Sequence, residues 1–441
     1  MLRRVLPILL VACLTTLLLF TIFQRVSWRA LPQAVGLGEE YGSLEEADDA
    51  ANTGSAITVP QADAQEPADV DPNAWRAGGS EGFKEPKVES KSPYPVGQLK
   101  PAGSNYTKCL VMPKMTGENV DWVDHELGDL VEAGLLTTAV YGMDDDSMEL
   151  RPPRNKGNEV MAYLSYIIDF YDDLPDVALF MHAHRWAWHN NLILGKDASL
   201  MVRHLSAERV TRDGYMNLRC HWDPGCPDWL HPGAIDRDYW KQEESIFADY
   251  WNELFPEAPI PTVLAQPCCA QFAVSRERIR AVPKERFIYL RDWVLHTELS
   301  DFLSGRIFEY TWQYIFSSTP LHCPSMSACY CDGYGLCFGD AEKFDYYFEL
   351  NYHLTGYQKE LKLWNEQAET IAQAREQAHG RFSGEEALDV PEVGRNVTLR
   401  EEITKLEEAM KERREAAFEL GRDPRQRAKE AGRVWVEGDG F

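Results

Sequence analysis

Nineteen consecutive residues from Val5 to Phe23, VLPILLVACLTTLLLFTIF, carry no charge, and Arg3–Arg4 and Arg25 with Arg29 flank them. As a helix, at about 1.5 Å per residue, the run would extend roughly 28 Å, which suits a hydrocarbon core of about 30 Å. A cleaved signal has a shorter apolar stretch and small residues where it is cut; here QRVSWRA follows, with Trp28 and Arg29. The run therefore reads as an uncleaved signal-anchor, 5–23, behind a cytosolic tail, 1–4. The positive charges on its two sides nearly tie. The N-terminal amine tips the short end toward the cytosol, leaving a single-pass type II protein with its bulk in the lumen of the Golgi or ER.

Cysteines and sequons agree with that placement. Ten cysteines occur, and Cys13 lies in the apolar run. The others cluster as Cys220/Cys226, Cys268–Cys269 and Cys323/Cys329/Cys331/Cys337. In an oxidising compartment they form a disulfide framework; in a reducing one they would suggest zinc. Nine beyond the anchor is an odd number, so at least one thiol is free or pairs outside the chain. NYT at Asn105 and NVT at Asn396 are acceptor triplets for N-glycosylation.

The net charge of −25 argues against nucleic acid as a partner. Residues 31–95 hold thirteen acidic and four basic side chains and almost no large apolar ones. Such a stretch cannot bury enough surface to offset its ordering entropy. Residues 24–104 are thus expected to be a disordered stem, 105–350 a lumenal domain and 351–441 a charged helical tail.

Within the domain, KCLVMPKM and LLTTAVYGM read as strands, and NVDWVDHELGDLVEAG between them as a helix closed by Gly134. NEVMAYLSYIIDFYDDLP has helical periodicity, with Asn158 as cap and Pro175 as stop. DVALFMHAH is an apolar run without alternation, as in a strand covered on both faces. The order β-α-β-α-β predicts an α/β fold with a mainly parallel sheet and helices on both faces. In the tail, Thr398 and Glu401 form a capping box. Leu399, Ile403, Leu406 and Met410 give a helix that packs along one stripe.

Ligands of such sheets bind beyond the carboxyl ends of the strands. His182 and His184 lie at one such end, and with His189 they offer nitrogen ligands for zinc or another transition metal. Trp186 and Trp188 are placed to stack on a sugar ring. Asp144 and Asp145 end the preceding strand and offer hard oxygen ligands. Glu309, inside RIFEYTWQYIF, is either paired with an arginine such as Arg306 or Arg291 or raised in pKa, as a general base requires. Residues 105–350 hold no G-x-S-x-G (the match at Gly78–Gly82 falls in the expected stem), and the chain has no phosphate-binding glycine loop and no dinucleotide fingerprint.

FMHAHRWAWHN, CCAQFAVSRERI, SGRIFEYTWQYIF and CYCDGYGLC, in this order, resemble a fungal family of functionally uncharacterised type II membrane-anchored proteins over roughly 105–340. More distantly the chain resembles GT-A-type nucleotide-sugar glycosyltransferases, in its anchor and acidic stem, its β-α-β-α-β opening and its late Glu followed by an aromatic. That resemblance implies a nucleotide sugar as donor, a divalent metal (commonly manganese) and a glycan or glycoprotein acceptor. Glu309 would be the acceptor-side base, and Asp144, Asp145, His182 and His184 would contact nucleotide or metal. The usual Asp-x-Asp position holds His182-Ala183-His184 instead. A His-ligated metal hydrolase of the secretory lumen and a non-catalytic tethered binding protein are the alternatives.

Overall fold

Strand β1, Lys108–Lys114, forms where four consecutive apolar side chains, Cys109 to Met112, can all be buried, because the sheet is covered on both faces. Its side chains alternate between two cores. Cys109 and Val111 join one, and Leu110 and Met112 the other. The computed structural model describes residues 93–234, 241–377 and 391–437. The apolar run 5–23 and the stem up to residue 92 lie outside the described residues. Among those described, no helix is long and apolar enough to cross a membrane. Backbone contacts group 71–235 and 243–441 as one unit, which holds every element below.

Helix α1, Trp122–Glu132, leads from β1 to β2, Leu136–Gly142. Gly134 closes it as expected, with φ +67°. Helix α2, Val160–Asp169, is buried on nearly every side and leads to β3, Val177–Phe180. Asn158 does not cap α2: it has φ +52°, and Glu159 takes the cap position without a side-chain bond. The helix ends before Phe170, short of Pro175. After α3 (Ala198–His204) and α4 (Ala207–Asp213) come β4, Tyr215–Asn217, and helix α5, Phe247–Leu254.

Strand β5, Phe272–Ser275, corrects the expected sheet. The order is β2-β1-β3-β5-β4. β1 is parallel to β2 and β3, but β5 is antiparallel to both β3 and β4. The sheet is mixed rather than mainly parallel, because β5 enters from the edge where β3 ends.

Helices α6 (Arg276–Ala281), α7 (Lys284–His296), α8 (Asp301–Glu309) and α9 (Trp312–Ser317) follow β5. Residues of α2 and α7–α9 fill one face of the sheet, and residues of α1, α3, α4 and α10 (Met326–Tyr334) fill the other. The first core centres on rings: Phe272 lies 4.8 Å from Phe180, 4.9 Å from Trp312 and 5.8 Å from Tyr163. Disulfides Cys220–Cys329 and Cys226–Cys323 tie the segment after β4 to α10 and to the stretch before it, and Cys331–Cys337 closes the turn after that helix. Cys109 is a free, buried thiol.

The tail is helical, as expected. Helices α11 (Ala341–Gln377) and α12 (Arg395–Leu420) run antiparallel, joined by a two-pronged Arg395–Glu360 pair at 2.6 and 2.7 Å. Leu399, Met410 and Ala417 form the buried stripe of α12. Its cap is Gly394, however, and Thr398 sits inside the helix, so the capping box does not form. A last helix, α13, spans Pro424–Glu430. At the other end, the stretch expected to be stem through 104 is attached from Tyr94 onward, where the Arg278 guanidinium lies 4.3 Å over the ring. The Gly97 amide donates to Arg212 O at 2.9 Å, and Lys100 pairs with Asp176 at 2.6 Å.

Because Phe272 is the point where the aromatic cluster meets the sheet, Phe272→Ala should cost about 3–5 kcal/mol of unfolding free energy. Urea denaturation checks this, and a loss under about 1 kcal/mol would contradict the packing described.

Candidate functional site

Phe180 pairs with Phe272, so the residues just after β3 meet those just before β5. The His182 amide donates to Gln271 Oε1 at 3.2 Å, and Gln271 Nε2 donates to Asn190 Oδ1 at 3.0 Å. Cys268 and Cys269 are bonded to each other. Cys269 and Ala270 have φ +83° and +48°, a left-handed pair of non-glycine residues. This turn presents both polar groups of the Cys269 residue to the site. Its N–H donates to Glu309 Oε1 at 2.6 Å, and its carbonyl accepts from His182 Nε2 at 2.9 Å. A carbonyl cannot donate, so His182 carries its proton on Nε2 when neutral.

Glu309 ends α8 and is buried. Its second oxygen accepts from Arg306 Nη1 at 2.8 Å, the arginine-paired option of the sequence reading. Arg306 Nε reaches Glu243 at 3.2 Å, and Glu243 is completely enclosed. Burial raises the Glu243 carboxyl, with Arg306 opposing. Half-buried Glu159, at the start of α2, joins the same cluster. Loss of hydration, with the Glu309 charge adding to it, pushes its carboxyl up to about 8. Three carboxylates therefore gather about one guanidinium.

The other expected residues are placed as follows. His184 is exposed and faces Glu118 at 3.2 Å, across the crevice between the ends of β1 and β3. That crevice is where the chain order reverses (β2 on one side of β1, β3 on the other), the usual ligand position of such sheets. His189 lies with its ring 4.9 Å from that of His182; its Nε2 is buried without a partner, and burial holds both imidazoles toward the neutral form. Asp144 Oδ1 accepts from the Thr116 amide at 2.7 Å, and Asp145 Oδ1 from the Ser147 amide at 2.9 Å. Asp144 thus binds the loop after β1 and Asp145 its own loop, and the histidines bind elsewhere. Trp186 is 61% exposed with Arg185 over its ring at 4.2 Å, and Trp188 is half-buried beneath Arg219 at 5.0 Å. Asn105 is exposed just before β1, and Asn396 is half-buried in the first turn of α12.

These contacts decide whether a zinc or manganese ion fits. His182 Nε2 is used by a carbonyl and His184 Nε2 by a carboxylate. Among the described residues, the trios close enough to share one ion are Cys268, Cys269, Glu309 and Cys331, Cys337, Glu430. All four of those cysteines are in disulfides, which have no thiolate to offer. His182, His184 and His189 do not make a three-nitrogen set, and the aspartates do not complete one.

Glu243, Glu159, Glu118, Gln271 and Arg219 were not singled out from the sequence. The signal available was a polar residue at the end of an apolar run, as with Gln271 before FAVS and Arg219 in MNLRCHW.

The strand tips, the cysteine pair and Glu309 all fall within residues 110–332, and that stretch matches the family described as Protein of unknown function (DUF3431). The chain belongs to this family. Neither a curated protein nor a solved structure matches it.

The raised Glu159 carboxyl sets a pH dependence. Between its ordinary value of 4.5 and about 8 the folded state holds a proton that the unfolded chain has released. Its contribution is therefore present at low pH and is lost as pH rises through about 8. The lowered histidines act in the opposite sense, but only below their ordinary 6.5. Stability should accordingly fall between pH 6.5 and 8 in the natural chain and fall less in Glu159→Gln. Equal slopes in melts across that window would refute the assignment.

Proposed function

We propose that this protein is a membrane-anchored lumenal glycosyltransferase that moves a sugar from a nucleotide donor to a glycan or glycoprotein. The observation that carries the reading is the single residue, Cys269, that joins Glu309 to His182 beside the reversal point of the sheet. A carboxylate and an imidazole are thereby held at fixed separation where α/β folds take their ligands. The acceptor hydroxyl oxygen bonds to the anomeric carbon, the carbon–oxygen bond to the diphosphate breaks with its electrons, and the hydroxyl proton passes to Glu309. Two of the lone-pair positions on Glu309 are occupied, by Cys269 N–H and Arg306, and a carboxylate has about four.

Exposed Trp186, its ring flanked by Arg185, supports sugar stacking at the rim. Four disulfides and the exposed sequon at Asn105 support a Golgi or ER lumen as the site of action. The apolar run 5–23 supports a single-span anchor. No step is assigned to a metal, since the histidines do not assemble as ligands.

The test is release of nucleoside diphosphate from a panel of sugar nucleotides by the detergent-solubilised full chain, with glycoprotein acceptors, in manganese and in EDTA. One donor should be turned over, and Glu309→Gln should lower turnover ~100-fold or more. If no donor reacts, or if Glu309→Gln keeps full turnover, the reading fails.

A further inference from the structure

Arg219 follows β4 by two residues and is 6% exposed. Buried guanidinium groups are ordinarily paired with carboxylates. Arg306 has Glu243 and Glu309, and Arg209 has Asp213 and Asp332. Arg219 has none within ion-pair distance among the described residues. Its Nη2 donates to Asp223 O at 2.7 Å, its Nη1 to Trp188 O at 3.4 Å, and its Nε has no partner. The side chain lies over the Trp188 ring.

Idle donors collect around it. His189 Nε2, His221 Nε2 and Tyr310 Oη are buried without hydrogen-bond partners, and each feels the guanidinium charge. Folded proteins leave few such atoms unpaired, and here three surround one cation whose own Nε is also idle. Arg278 also lacks a carboxylate, yet none of its own atoms is idle. The Arg219 cluster lies on the same strand edge as the proposed site, since Trp188 packs at 5.5 Å on His189 and His189 at 4.9 Å on His182.

We propose that Arg219, with the donors on His189, His221 and Tyr310, binds the diphosphate of a nucleoside-diphosphate donor. This rests on the transferase reading and deepens it. A fixed cation takes the diphosphate charge that the missing three-nitrogen set could not take through a metal, and it lies apart from Glu309, which serves the acceptor. Of the side chains that link this cluster to the proposed site, Trp188 and His182 are partly exposed. Arg219 remains a cation at neutral pH even though burial lowers it to about 10.

The experiment is calorimetric titration of the solubilised full chain with inorganic pyrophosphate, and separately with sugar nucleotides, in EDTA. Arg219→Gln should weaken pyrophosphate at least tenfold, Arg219→Lys less, and His189→Gln two- to fivefold, with unchanged circular dichroism. Unchanged affinity in a folded Arg219→Gln overturns the proposal. If that variant does not fold, unchanged affinity in both Arg219→Lys and His189→Gln overturns it. Sugar nucleotides that bind regardless of Arg219 sink the anion site but leave the transferase reading standing. Arg219-dependent pyrophosphate binding without any sugar-nucleotide binding sinks the transferase reading alone. Binding of neither probe sinks both.

Discussion

The antiparallel register that sets Phe180 opposite Phe272 governs this molecule. It brings two segments nearly ninety positions apart in sequence to one edge of the sheet, one leaving β3 and one entering β5. Had β5 been parallel, its carboxyl end would have met β3's, and the cysteine pair would lie at the opposite edge from His182. The register is fixed by what it buries. Phe272 and Val274 face the ring-rich core, while Ala273 faces the other. A slip by one residue would exchange those faces, replacing the Phe272 stack on Phe180 and Trp312 with an alanine methyl.

From that constraint the site follows by short steps. The Cys268–Cys269 turn has left-handed backbone at two residues with β-carbons, a conformation that is unfavourable and must be held by its surroundings. Its bonds to Glu309 and His182 are such a hold, and they run both ways: the turn orients the side chains, and the side chains keep the turn. Arg306 extends the hold to Glu243. Each of these side chains is thus held in place by hydrogen bonds within the protein.

Much of the first half of the fold was legible because burial on two faces leaves a plain mark. KCLVMPK, LTTAVYG and VALF are strands, and the intervening helices show the 3.6-residue period. Strand direction leaves no such mark, and FAVS reads the same whichever way it enters the sheet, so the mixed topology was hidden. Local signals also yielded to tertiary ones. Asn158 and Thr398 carry cap chemistry, but the chain enters α2 through left-handed Gly157 and Asn158, and α12 through left-handed Gly394. At the site, Glu309 was legible as an acid among aromatics with Arg306 three residues earlier. Arg306's second partner was not, because Glu243 is separated from it by more than sixty positions.

The histidines illustrate why spacing alone misleads about chemistry. H-x-H implies one shared face only while the chain remains extended, and β3 stops at Phe180. Beyond it, His182 turns to the Cys269 carbonyl, whereas His184 points across to Glu118. Two imidazoles bound to unlike acceptors cannot both give the same nitrogen to one ion without first breaking those bonds. Arginine, whose cation needs no assembly of ligands, also brings positive charge close to these tips. Arg306 is spent on carboxylates, whereas Arg219 has none within ion-pair distance among the described residues.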